Sequence, residues 1–466
     1  MKHPDPQLQF PWNLFQLGLL VFPLSPVLGL VGLIAAVIVT WLRRHSTIIR
    51  RPLNWGFAFL SLLLIITCCL AYDKTVAFIG LFNFLPYFLV FAAYSILLQT
   101  TSQLRQISWI LVVVSLPVII IGLGQLFLGW ATLKQWENVL AIFGWVLVPG
   151  GNPPSRMASV FMYANTLAGY LLIVFILSLG LWLENYQQLR AKPEITKNND
   201  SPPSPHTPHT PHTPHTPHTP HTPHTPHTLL FLTVAVIANF TALILTDSRN
   251  AWAIAIFACL AYALYQGWRI LVAVVATVAA SVLVAAFAPL RVALIFRKVV
   301  PTFFWARLND QLYPNRPVES LRKTQWEFAW SLTQQRPWTG WGLRNFTPLY
   351  EAQRHIWLGH PHNLFLMLSA ETGLPITLLF CGLVGWIFMT GVQLLQKSNV
   401  DPKDKILFFS YLLVFVCLVI FNTVDVSLYD LRLNSLSWIL LAAISGVVYR
   451  YNRIQKLVGN QNELFE

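Results

Sequence analysis

Charge is what this sequence has least of. Of 466 residues only 11% are Asp, Glu, Lys or Arg, while 55% are hydrophobic. Soluble globular chains carry about 25% charged residues, so a water-soluble enzyme or binding module is excluded. Cysteine is also scarce. The five present, Cys68, Cys69, Cys259, Cys381 and Cys417, all sit inside apolar runs. None lies in a loop, so neither a disulfide framework nor a cysteine-based zinc site is expected. The apolar runs themselves almost lack ionisable groups; Asn165, Asn239, Asn422 and Asn434 are their main polar intrusions. Ion-coupled transporters usually carry Asp, Glu, His or Arg inside the membrane, so this scarcity counts against transport. No Asp-x-Asp and no His-Glu-x-x-His motif is present.

What is abundant is apolar sequence in lengths that cross a bilayer, about 20 residues each. Runs fall near 13–22, 27–42, 54–72, 76–98, 107–128, 158–183, 229–246, 250–267, 270–288, 375–396, 406–424 and 433–449. They predict an all-α, polytopic transmembrane protein of about twelve spans. The count is eleven if the first two, separated by Pro23 and Pro26, form one broken helix. The expected organisation is a tail at 1–12, spans at 13–183, a linker at 184–228, spans at 229–288, a long loop at 289–374, spans at 375–449 and a basic tail at 450–466. Lys2, followed by Asp5 and early prolines, does not read as a cleavable signal.

Orientation follows from the positive residues of the short loops. Arg43, Arg44, Arg50 and Arg51, then Arg105, then Arg190, Lys192 and Lys197, then Arg269, then Lys397, Lys403 and Lys405, and finally Arg450, Arg453 and Lys456 mark every second loop. Those loops are expected to be cytoplasmic. The linker includes a His-Thr-Pro repeat over 206–228, which proline every third residue keeps extended. It reads as an expanded spacer, although a His-rich tract also has metal affinity.

On the opposite side, residues 289–362 carry eight Arg and two Lys against four acids, a net charge of +6. Loops this long escape the positive-inside bias. Two readings stay open: contact with anionic lipid headgroups, or binding of an anionic substrate. The excess of Arg over Lys favours the second, because guanidinium forks match phosphate oxygens. Within the loop, 319–335 predicts an amphipathic helix and 336–346 a Gly- and Trp-rich turn. Pro361 suits a first helical position with His360 as its cap. Gly373 and Pro375 then break the chain, leaving a short interfacial helix over 362–372 before the span at 375–396.

Five non-repeat histidines exist, and His355, His360 and His362 close this loop. Glu371, nine residues past His362, falls on the far helix face, so no metal set is expected. A histidine near neutrality is better suited to moving a proton. Arg156 and Arg249 lie at the same membrane edge, where either an interfacial anchor or an anion contact would place them.

Four stretches, "SRMASVFMYANTLAGYL" from Ser155, "TDSRNAW" from Thr246, "GWGLRNF" from Gly340 and "HPHNLFLMLSAETGLP" from His360, together resemble the O-antigen ligase and polymerase superfamily of bacterial membrane glycosyltransferases. The likeness spans about 150–390 and includes the long loop before the histidines. It departs at Asn250, where the family has Gly, at Tyr163-Ala164-Asn165, where Asn-Pro-Asn is usual, and at Ile376, where a small residue is frequent. A cyanobacterial branch of the family has been linked to inorganic-carbon accumulation.

The resemblance implies a glycan donor on polyprenyl pyrophosphate, a sugar acceptor on lipid core or on another lipid-linked chain, lipid contacts, and no nucleic acid or cofactor. It implies a bacterial inner-membrane protein with its site on the periplasmic face. Arg156 and Arg249, with Arg344, would hold the pyrophosphate, and His362 would act on the acceptor hydroxyl with Asp247 in reserve. Asn165, His360 and Asn363 would line the substrate site, and inversion without a metal is the simplest chemistry. A small-anion transporter and a non-catalytic envelope scaffold are the alternatives.

Overall fold

The computed structural model describes residues 2–197, 226–302, 305–306, 318, 321–397 and 401–462. Most of the His-Thr-Pro repeat, and Arg307, Asp310, Arg316 and Glu319 of the basic loop, lie outside them. The described residues are helical and contain no strand.

Among the described residues ten helices are long and apolar enough to cross a membrane: Pro26–Ile49, Pro52–Cys69, Lys74–Leu97, Thr101–Phe127, Ala164–Leu189, His227–Leu245, Arg269–Phe287, Leu374–Gln396, Lys403–Asn422 and Leu431–Gln455. The shorter Arg249–Tyr265 and Gln9–Val21 occupy the eighth and first expected runs. The first two runs are separate helices. Gly18 abuts the backbone of Gly29 and Leu33, where a Cβ would come within 3 Å, so the two helices fold back on each other. Arg43 donating to the Gln7 carbonyl and Arg44 pairing with Asp5 close the open end of that hairpin. The chain at 22–25 reverses under Ser25, which donates to the Phe143 carbonyl.

Burial separates a centre from a rim. Ala164–Leu189 and Leu431–Gln455 each have 83% of their apolar window covered, whereas Arg269–Phe287 has 11% and faces outward along most of its length. Several polar groups that enter the centre are paired there. Tyr262 donates to the Ile176 carbonyl and Ser410 across the gap left by Gly180, and the Asn239 amide donates to Ser115. Asn422 and Asn434 bind the turn at 427–428 and are structural. Asn165 alone of the four buried-run asparagines reaches the site described below.

The long loop builds its own small core from Phe328, Ala329, Leu332, Phe346, Tyr350 and Ala370. It contains Leu290–Arg297, Arg322–Gln335, Phe346–Arg354 and Leu364–Thr372. The break between the last of these and Leu374–Gln396 falls at Gly373, as its sequence context predicts. There φ is +79° and the backbone passes so close to Trp338 that a Cβ would lie 2.6 Å from its carbonyl oxygen. One expectation is corrected: His360 is not the cap. The helix starts at Leu364, and Asn363 caps it by accepting from Phe365 and Leu366 N–H at 3.0 Å each. His362 has φ +52°, a left-handed turn that cannot continue into the helix, so the start moves two residues on.

Candidate active site

At the loop-bearing end the helices surround a cavity of about 720 Å³, within the range of ligand sites. Among the segments that meet there are the start of Ala164–Lys197, the loop before Leu431–Asn462, the turn at Arg344, one face of Phe346–Arg354, and the chain from Trp357 to His362.

Asp425 is its centre. It stands between two spans, and its side chain is 11% exposed. One carboxylate oxygen accepts from the Asn165 amide at 3.1 Å. The other accepts from the Val426 N–H at 2.9 Å and faces His362 Nδ1 at 3.4 Å, with His360 Nε2 at 3.8 Å. Behind Asn165, its carbonyl oxygen accepts from Arg156 at 2.6 Å. Arg156 also donates to the Thr246 carbonyl at 2.8 Å, tying this wall to the turn that holds Asp247 and Arg249.

Burial by itself raises the Asp425 pKa, but the His362 hydrogen bond and the two imidazoles outweigh it and hold the carboxyl below its usual range. An ionised carboxylate only accepts. The contact therefore selects the His362 tautomer that carries its proton on Nδ1. His360 is fixed by a different bond: its Nδ1 accepts the His362 N–H at 3.1 Å, so its proton sits on Nε2, facing Asp425. Burial, helped by the neighbouring His362 ring, lowers the His360 pKa to about 4, so the ring is neutral near pH 7. The Trp326 indole, donating to the Pro361 carbonyl at 2.9 Å, holds this turn from the loop side.

By distance alone His360, His362 and Asp425 could ligate a cation, since one atom from each lies within 4.8 Å of the others. Without one, His362 Nδ1 and the Asp425 carboxylate share a contact at 3.4 Å along which a proton can be held. The arrangement is suited to holding and moving a proton.

Arg344 also lines the cavity, in a left-handed turn at φ +60°, its guanidinium 5.2 Å from the Tyr429 ring centre. Its loop is stitched to the end of Leu364–Thr372. The Glu371 backbone carbonyl accepts from Gly342 at 2.8 Å, and the Glu371 carboxyl accepts from Phe346 N–H at 3.3 Å. A Cβ at Gly340 would strike the Glu371 backbone at 2.4 Å, so only glycine permits this approach. Burial pushes the Glu371 pKa up to about 8, against the pull of the Arg344 and Phe346 N–H groups. Tyr429, also pushed up by burial, stays a neutral phenol that donates toward Met367 Sδ.

Of the residues singled out from sequence, His360, His362, Asn165 and Arg344 line the cavity, and Arg156 stands one bond behind it. Asp247 and Arg249 lie outside the lining, in the turn that Arg156 binds, and Asn363 uses its carbonyl oxygen as a helix cap. Sequence reading missed Asp425, Tyr429 and Asp430. The available signal was an acid following an apolar run directly, in a short loop on the side of the histidines.

Residues 234–381 match the family model described as O-antigen ligase. The matched stretch holds Arg249, Arg344, His360 and His362, whereas Arg156, Asn165 and Asp425 come to the cavity from outside it. No curated protein matches the chain. Over that stretch, about a third of the chain, the protein is similar to the O-antigen ligase family, in keeping with the resemblance carried by its motifs.

Proposed function

We propose that the protein transfers a glycan from a polyprenyl-pyrophosphate carrier to an acceptor hydroxyl, without a metal, at the outer face of a bacterial inner membrane. The observation that carries this reading is the one-directional chain of donors from Arg156 through Asn165 to Asp425, met from the other side by His362. His362 Nε2 takes the proton of the acceptor hydroxyl as its oxygen attacks the anomeric carbon. The bond from that carbon to the pyrophosphate oxygen breaks, and the pyrophosphate leaves on its carrier. Attack from the face opposite the leaving group inverts the centre. Asp425 keeps the His362 proton on Nδ1 and stabilises the imidazolium that forms. Arg344 on the cavity wall, with Arg249 from the adjoining turn, meets the charge growing on the pyrophosphate. Arg156 orients Asn165 and so the dyad.

The test is surface polysaccharide in cells carrying His362→Ala or Asp425→Asn, with the protein's abundance in the membrane measured alongside. Glycan at the wild-type level in either variant sinks the proposal. Carrier lipids from a deletion strain then separate the two kinds of transfer. Full-length chains left on the carrier indicate a ligase, and single repeat units a polymerase.

A further inference from the structure

The cavity has a part that the transfer step does not use. Thr347, Pro348 and Glu351 sit at i, i+1 and i+4 of Phe346–Arg354 and so share one face of it, which lines the cavity. Thr347 Oγ1 donates to the Gly359 carbonyl at 3.0 Å and clamps this helix to the strand of chain running from Trp357 to His362. Trp357 lines the same side. Its indole is 69% exposed, and its six-membered ring is backed by Gly359, where a Cβ would lie 3.5 Å away. An exposed indole in a lining that also holds a carboxylate and a hydroxyl has an apolar face near hydrogen-bonding groups.

We infer that Trp357, Glu351 and Thr347 form a subsite for a sugar ring of the acceptor, one bearing no negative charge; this rests on the glycosyl transfer proposed above. A pyranose has the matching surface, with C–H groups on its face and hydroxyls on its edge. Phosphate does not fit here, because Glu351 and Asp430 would repel it, while the cation of the lining, Arg344, serves that anion. The place is also right. Trp357 and His362 line the same cavity and are five residues apart, at most about 17 Å of extended chain, so an acceptor seated on the indole lies in the cavity that holds the imidazole.

Purified full-length protein in detergent, probed by saturation-transfer NMR with methyl glucoside, methyl glucosaminide and methyl glucuronide, tests this without using the reaction. Both residues are exposed, so their variants keep the fold. The glucoside and the glucosaminide should receive magnetisation and the glucuronide should not. Trp357→Ala should weaken binding of the first two about tenfold, and Glu351→Gln should admit the glucuronide. Equal binding of all three to the wild type, binding of none, or sugar binding unchanged in Trp357→Ala overturns the inference. In that last case the indole is a lipid-interface anchor. Glycan retained by His362→Ala would instead overturn the transfer reaction, whatever the sugars do.

Discussion

Two buried carboxylates sit at opposite ends of one bundle. Asn165, which holds Asp425, and Glu184 are nineteen residues apart on the same helix, about 28 Å along its axis. Glu184 receives the Arg105 guanidinium directly, through Nε at 2.9 Å and a second nitrogen at 2.5 Å, and Arg105 reaches on to Asp404 at 3.2 Å. Three helices are thereby riveted by a closed set of charges. Asp425 is handled differently. Its direct partners are an amide, a backbone N–H and two imidazoles, with the nearest arginine of the chain of donors one residue removed. A carboxylate neutralised by guanidinium has little field left for anything else. One held by neutral donors keeps its charge available to an imidazolium that appears only during reaction.

Breaking the second arrangement should abolish chemistry, and breaking the first should cost only stability. His362→Ala removes the proton acceptor and should lower transfer by about 10²–10⁴-fold with the protein still folded. Asp425→Asn keeps the shape but lets an amide N–H face Nδ1, which favours the wrong tautomer, and a loss of similar size is expected. Transfer per folded molecule above a tenth of wild type in either variant would erase the contrast between the two ends.

The counterpart is Glu184→Ala. It leaves Arg105 with only the Asp404 partner, each of the two being about one-third exposed. A buried pair broken on one side costs about 3–5 kcal/mol, and the partial exposure of Arg105 argues for the lower end. Melting in detergent should fall and membrane abundance should drop, while transfer per folded molecule stays at the wild-type value. A fall in that specific value would mean that the two ends are coupled through the helix they share.

Much of this was legible in the sequence, and the limit is physical. Apolar run length, and breakers such as Gly373 with Pro375, act locally, so the spans and the break before Leu374–Gln396 can be read directly. The pairing of Asp425 with His362 crosses 63 residues and two spans, and no local pattern encodes it. Choosing residues by sidedness grouped Arg249, Asp247 and Asn363 with the histidines, but sidedness does not fix lateral position, and none of the three lines the cavity. The cap was misread because Pro361 suits a helix start, while the left-handed turn at His362 depends on tertiary bonds such as the one from Trp326.

The amide between the arginine and the dyad allows a finer test. Asn165→Ala should cost about tenfold in transfer, the loss of one orienting hydrogen bond to a charged group. Asn165→Asp places a second carboxyl against Asp425, and like charges raise one of the two pKa values. The acid limb of the pH–rate profile should therefore move to higher pH in that variant. An unmoved limb would mean that Asp425 does not need to be ionised for the reaction.

The smallest effects lie in stability against pH, where two groups of the same site should act in opposite directions. His360 has its pKa lowered to about 4 by burial, from 6.5. Between those values the unfolded chain binds the extra proton, so the stability contributed by neutral His360 is lost as pH falls from 6.5 through 4. Glu371 has its pKa raised by burial from 4.5 to about 8. The folded state there keeps a proton that the unfolded chain releases, so this contribution is complete below 4.5 and is lost as pH rises through 8. Melting temperatures in detergent should show the first slope disappear in His360→Asn and the second in Glu371→Gln, each by a few degrees. The glutamine can still accept the Phe346 N–H, so Glu371→Gln should match the wild type at low pH and exceed it above pH 8. A Glu371→Gln protein less stable than wild type at pH 9 would show that the loop carrying Arg344 is held by a carboxylate charge and not by a neutral acid.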